Sequence, residues 1–227
     1  MSKGDIMVEF DKNEYILANK MKVFFIHKRV RGKIIIGSVR FDIDDDFYLK
    51  GNTVVKIPIG LSHICEHMNF YKDCKNIYDS FIKYGSAVNA ITCNFGSLFW
   101  GSASYNFNNI LKLIMDLMLK PPIFTYEQYK NELKIIKSEI SSFDENDPYE
   151  KTCILYKEYF GSCRSLHQIV GKAEIVEDIP MWMVMDSLKR FYIPERMSIF
   201  IGGDNLDEHK ILDKMTSYIN RKYMVKR

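Results

Sequence analysis

The stretch Gly60-Leu61-Ser62-His63-Ile64-Cys65-Glu66-His67-Met68 decides how the rest of the chain is read. Pro58 and Gly60 precede it, and Leu61, Ile64, Cys65, Met68 and then Tyr71 recur at helical spacing, which predicts an amphipathic helix starting after Gly60. Residues four apart on a helix lie one above the other, so the imidazoles of His63 and His67 can both reach one Zn²⁺ at roughly 2.0–2.1 Å. Glu66 sits on nearly the same side, close enough to take a proton from a metal-bound water without filling a coordination position. The pattern is His-x-x-Glu-His, the reverse of the commoner His-Glu-x-x-His order. A solvated polar stripe would carry the same residue types, so the reading needs a third ligand. The helix beginning at Thr125 offers Glu132 and Glu139, two turns apart on one face, and either fits on geometry. The bland alternative for both is a charged surface stripe shared with Lys130, Lys134 and Lys137. Cys65 is turned well away from His63 and is expected in the core.

Outward from this helix, the preceding residues read as strands: Tyr15 to Leu17, Lys22 to Ile26 and Ile34 to Ile43, β-branched or aromatic and closed by the acidic turn Asp44-Asp45-Asp46. After the helix, a short one at Ile77 to Tyr84 stops at Gly85. A hairpin then runs through Val88 to Thr92 and Leu98 to Trp100, turning at Asn94-Phe95-Gly96. Helices follow at Asn108 to Leu119, from Thr125 with Gln128 completing a capping box, at Tyr149 to Tyr159, Glu174 to Asp178 and Met181 to Phe191. A strand at Arg196 to Gly202 and a helix at Asp207 to Tyr223, capped by Asn205 or Asp207, complete the chain. The expected fold is α+β: a mostly antiparallel sheet with helices packed mainly on one face, in a single domain spanning 1–227.

Composition supports a packed core, with 47% hydrophobic and 27% charged residues among 227. A net charge of +3, from 32 basic against 29 acidic residues, nominates neither nucleic acid nor an anionic membrane as partner. No apolar run is long enough to span a bilayer. The five cysteines are irregularly spaced, and the amino terminus interleaves Lys3, Asp5, Glu9, Asp11 and Lys12 with single apolar residues, unlike a secretory leader. Reduced thiols and a cytoplasmic location are therefore expected.

The segment Gly60 to Met68 with Asn69-Phe70 resembles the Gly-Leu-x-His-x-x-Glu-His-Met-x-Phe signature of the insulinase/pitrilysin family of zinc peptidases. Four further segments match in order. Gly85-Ser86-Ala87-Val88-Asn89-Ala90-Ile91-Thr92 is similar to that family's Gly-x-x-x-Asn-Ala-x-Thr strand. Glu132 to Glu139 resembles its Glu-x6-Glu helix. The segment 156–171, with Tyr159-Phe160-Gly161, His167 and Gly171, resembles its Tyr-Phe-Gly segment but lacks the proline. Tyr192-Ile193-Pro194-Glu195-Arg196-Met197 to Gly203-Asp204 resembles its last strand.

The resemblance implies a mitochondrial-processing-peptidase-like metallohydrolase domain, close to the β-type half of that enzyme. His63, His67 and Glu139 would bind Zn²⁺, and Glu66 would be the general base. Glu132 would orient a ligand or the water from behind. An extended peptide would add as a strand along Ala87 to Thr92, nearest the metal at Asn89 and Ala90. Phe70 would line the adjoining pocket, unless it is a core aromatic. The implied activity is a zinc endopeptidase acting on short or unfolded peptides. Such sites are closed by a related partner, so a second chain of the same kind is expected, as a heterodimer more than a homodimer. The competing implication is a non-catalytic scaffolding homologue, which would have no reason to keep three ligands and a base.

Overall fold

The computed structural model describes residues 12–41, 47–93, 95–142, 155, 158 and 169–223. The expected turn at Asp44 to Asp46, Asn94 of the hairpin turn, the helix at 149–159 apart from 155 and 158, and His167 with most of its segment lie outside the described residues.

The strands are β1 (Lys12–Ile16), β2 (Lys22–His27), β3 (Lys33–Arg40), β4 (Phe47–Lys50), β5 (Thr53–Lys56), β6 (Tyr71–Lys72), β7 (Lys75–Asn76), β8 (Val88–Cys93), β9 (Gly96–Ala103) and β10 (Met197–Gly203). The helices are α1 (Leu61–Asn69), α2 (Tyr78–Lys83), α3 (Phe107–Leu119), α4 (Tyr126–Ser142), α5 (Ala173–Asp178), α6 (Met181–Phe191) and α7 (Glu208–Tyr223). Six strands form one sheet in the order β1-β2-β10-β3-β9-β8. Every pairing in it is antiparallel except β10 with β2, because the chain returns at its end to insert β10 between strands laid down at its beginning. The mostly antiparallel α+β sheet is therefore as expected.

Alternation decides which face of the sheet is buried. Val23, Phe25, Ile35, Val39, Phe99, Ile199 and Ile201 point to one side and pack with Ile110, Ile114, Leu117 and Met118 of α3. Gly37 has no side chain where α3 crosses β3, and a Cβ there would collide with Met118 Sδ. The intervening residues face the other way, including Phe24 stacked on Phe200 with centroids 4.7 Å apart. A second core joins Leu61, Ile64, Cys65 and Met68 of α1 to Tyr129, Leu133 and Ile136 of α4, Val184, Leu188 and Phe191 of α6, and Phe41. Cys65 is fully buried there, as expected, and burial pushes its thiol well above the usual range.

Helix ends follow local rules. The Thr125 hydroxyl accepts from the Gln128 N–H at 3.1 Å while the Gln128 side chain accepts from the Thr125 N–H at 2.8 Å, the reciprocal capping box that starts α4. Asp207, rather than Asn205, caps α7 by accepting from the Lys210 N–H. At the end of α2, Gly85 takes a left-handed conformation and the N–H groups of Gly85 and Ser86 return to Ile82 and Phe81. Gly60 begins α1 with φ +85°, and a Cβ on it would lie 2.9 Å from the Val170 carbonyl oxygen. Only glycine fits both requirements.

One expectation is corrected. Tyr71 does not extend α1, which ends at Asn69; it opens the β6–β7 hairpin, whose turn residues Asp73 and Cys74 both have positive φ. The hairpin β4–β5 was also not expected from the sequence.

Candidate metal centre

Eight of the nine residues of α1 are buried, including Ser62, His63, Glu66 and Asn69. A solvated polar stripe is thereby excluded. Placing ionisable groups on a buried helix is costly unless they are partnered, and each partnership can be traced.

The His63 and His67 Nε2 atoms are 3.2 Å apart, with their rings perpendicular. Glu139, reaching in from α4, places Oε2 at 3.6 Å from the first nitrogen and 3.5 Å from the second. Three ligands at the edges of a tetrahedron around zinc would be about 3.3 Å apart for metal–ligand distances of about 2.05 Å. The triangle of two imidazoles and one carboxylate thus fits a zinc ion, and no fourth such side chain joins it among the described residues. Among the described residues this is the one group of three such side chains that converges.

Behind this triangle, Glu132 accepts from His67 Nδ1 at 3.0 Å through Oε2 and from the Tyr71 hydroxyl at 2.6 Å through Oε1. With Nδ1 donating to Glu132, the neutral form of His67 would turn its Nε2 lone pair to the triangle. Burial alone would lower the His67 pKa, but the hydrogen bond to Glu132 and the charges of Glu66, Glu139 and Glu132 outweigh it and hold it up. Burial, followed by the neighbouring His67 charge, depresses His63 to about 3, so it is a neutral imidazole. Its Nδ1 is buried without a hydrogen-bond partner among the described residues.

Glu66 is buried beside the triangle. Its Oε2 accepts from the Thr92 hydroxyl at 2.8 Å, and Thr92 lies 3.4 Å from the Ser97 hydroxyl. Burial raises the Glu66 pKa; His67 and Thr92 pull it down and Glu139 pushes it up, and the balance remains upward.

Thr92 belongs to β8, the strand at the sheet edge. Val88 and Thr92 are buried on the side of α1, whereas Asn89 and Ile91 are exposed on the other. The Asn89 side chain accepts from the Ala90 N–H at 2.8 Å. Ala90 is half-buried and shares the Thr92 side. Phe70 caps α1 and packs on Phe99 with centroids 5.9 Å apart, within the sheet-facing core. Sequence reasoning assigned no role to Tyr71 or to the Thr92 hydroxyl. The position of Thr92 two residues after Ala90 was a usable signal, since it puts both on one face of β8; nothing local marked Tyr71.

No family model matches the chain. The uncharacterized zinc protease YmfH of Bacillus subtilis (strain 168) is 26% identical over 197 residues, which cover 82% of this chain and 44% of that protein. The chain thus spans less than half the length of this curated relative. A crystal structure from Alicyclobacillus acidocaldarius described as an M16-like peptidase superposes with a TM-score of 0.82 at 20% identity, over 94% of this chain and 50% of that one. The structure of a peptidase M16 inactive domain from Pseudomonas fluorescens superposes with a TM-score of 0.70 at 17% identity, over 92% of this chain and 50% of that one. The fold is that of an M16 peptidase domain. A relative named as a zinc protease and this fold both agree with the resemblance to the insulinase/pitrilysin family. No helix among the described residues is long and apolar enough to cross a membrane.

Proposed function

We propose that the 227 residues form the catalytic domain of a zinc-dependent endopeptidase that hydrolyses short or unfolded peptides. The observation that carries this reading is the triangle of His63, His67 and Glu139 ligand atoms, 3.2 to 3.6 Å apart, with a buried carboxylate beside it. A zinc ion held there would polarise the scissile carbonyl and acidify water. Glu66 takes the proton of the attacking water and passes it to the leaving amine. Thr92 holds one Glu66 oxygen, which orients the carboxylate and leaves the other to receive the proton. Glu132 fixes the His67 ring. The outer edge of β8 pairs with an extended peptide, the Asn89 side chain giving up the Ala90 N–H.

The edge of β8 leaves a bound peptide open to water on its far side, and donors that stabilise the developing oxyanion are worth a few kcal/mol only in a water-excluded site. We therefore infer a second, related domain or chain that closes over the metal face, more readily a different chain than a second copy. That the matched structures are about twice as long supports this two-part arrangement. We place the protein in the cytoplasm, with neither nucleic acid nor membrane as a partner, from its charge balance and thiols. The resemblance to an inactive M16 domain supports the competing scaffolding reading, but the complete set of ligands, base and supporting carboxylate favours catalysis. Elemental analysis with a quenched-peptide assay, on the chain alone and with candidate partners, tests the proposal. Zinc at one equivalent with peptide hydrolysis supports it; stoichiometric zinc with no hydrolysis under any pairing favours the scaffold.

A further inference from the structure

We propose that Tyr71 is a positioning residue of the metal centre. By donating to Glu132 Oε1, its hydroxyl fixes the carboxylate so that Oε2 accepts the His67 Nδ1 proton and the Nε2 lone pair is committed to the metal. This rests on the zinc reading above and assigns a residue that the family motifs do not contain.

The geometry is a chain of two hydrogen bonds, Tyr71 to Glu132 at 2.6 Å and His67 to Glu132 at 3.0 Å, ending at the ligand triangle. The terminal torsion of a glutamate is broad and two-fold, so a carboxylate held at one oxygen alone is free to swing. Two donors on different oxygens remove that freedom. Glu132 is buried, and loss of the hydroxyl would leave one of its oxygens without its donor.

The backbone that carries Tyr71 is held from both sides. Toward α4, the Tyr71 carbonyl accepts from Ile123 N–H at 3.1 Å, and the Cys74 carbonyl accepts from the Gln128 side chain at 2.9 Å. Toward α3, strand alternation turns the next residue, Lys72, the opposite way. Its buried ammonium donates to the Lys120 carbonyl at 2.7 Å and to Asn69 Oδ1 at 2.9 Å, while Asn69 donates to the Leu117 carbonyl at 2.8 Å. Asp73 in the turn pairs with Lys120. The hairpin is thus clamped between the end of α3 and the start of α4, and it holds the Tyr71 hydroxyl at a fixed height against Glu132.

The test uses Tyr71→Phe on the whole chain, which keeps the ring in its packing and removes only the hydroxyl. Tyr15→Phe serves as the matched control, because Tyr15 donates to Glu208 in a similar way at 2.6 Å. Zn²⁺ affinity is measured by competition with a chromophoric chelator, Co²⁺ binding by its visible absorption, and folding by melting of the metal-free proteins. Outer partners of metal ligands are typically worth 10- to 100-fold in affinity, and Tyr71, one bond further out, is expected to weaken Zn²⁺ about 10-fold. Tyr15→Phe should leave the affinity unchanged. In a Glu132→Gln background the Tyr71 change should add little, since it acts through that carboxylate. Wild-type affinity and an unaltered Co²⁺ spectrum in Tyr71→Phe, with the wild type binding one equivalent, would overturn this inference alone. A full additional loss in the Glu132→Gln background would also overturn it. Failure of the wild type itself to bind Zn²⁺ would remove the zinc reading, and this one with it.

Discussion

The described residues contain two Tyr–Glu–His trios with nearly the same bonding. At one, Tyr71 and His67 meet on Glu132; at the other, Tyr15 and His27 meet on Glu208, joined by Asn13 at 2.9 Å. In both cases a carboxylate near the start or middle of a helix ties down a histidine, and in both its pKa is depressed, burial being outweighed by the hydrogen bonds it receives. The difference lies in what the remaining imidazole nitrogen sees. His67 turns its Nε2 toward His63 and Glu139, whereas His27 belongs to no converging group of three ligands among the described residues. A tethered histidine can therefore serve as a metal ligand only where a second imidazole and a carboxylate converge on the same point. The Glu208 trio is a brace that joins β1 and β2 to α7.

The largest expected contrast is between the two histidines. His67→Ala should lose nearly all bound zinc by elemental analysis, while His27→Ala should retain one equivalent; retention in both would break the distinction. Next, Glu66→Gln should keep the metal yet lower peptide turnover by about two to four orders of magnitude, because an amide preserves the shape and cannot accept the proton. Undiminished hydrolysis would remove Glu66 as the base.

The carboxylates sharpen the comparison further. Glu132→Gln is expected to weaken zinc binding by about 10- to 100-fold, but less than Glu139→Gln, which removes the proposed third ligand. Glu208→Gln should leave zinc binding alone and lower stability by about 1–3 kcal/mol, read as a drop in melting temperature. Because the folded pKa of Glu208 is depressed, its stabilisation is present above the unfolded glutamate value of about 4.3 and is lost as pH falls through the lower folded value. The melting-temperature gap between wild type and Glu208→Gln should therefore close on acidification below that point; a constant gap would argue against the brace. The smallest effects concern the caps that start the helices bearing these two glutamates. Thr125→Ala and Asp207→Ala should each cost about 1 kcal/mol in thermal unfolding, and neither should alter the zinc stoichiometry.

Legibility followed the range of the interactions. The spacing of His63, Glu66 and His67, the capping box of Thr125 and Gln128, the stop at Gly85 and the β-branched and aromatic content of β2 and β3 are local, and each could be read because helix and strand preferences act over a few residues. The choice between Glu132 and Glu139 was not local. Both share a face of α4, and only the height at which α4 crosses α1 brings Glu139 to the triangle and Glu132 behind His67. The family resemblance had given that order before the geometry did.

The sequence alone thus determined an α+β chain, a helix bearing two histidines and a glutamate, and two carboxylates within reach of it. Tertiary structure decided the rest. It inserted β10 beside β2 in parallel, a pairing between segments far apart that no local periodicity encodes. It also buried the polar face of α1, which pattern alone would place in solvent. Tyr71 was drawn out of its helical register into a hairpin through Asp73 and Cys74, a turn without the glycine or asparagine that would announce it. Contacts with the end of α3 and the start of α4 hold that turn in place, and it is this long-range clamp that sets the tyrosine against Glu132.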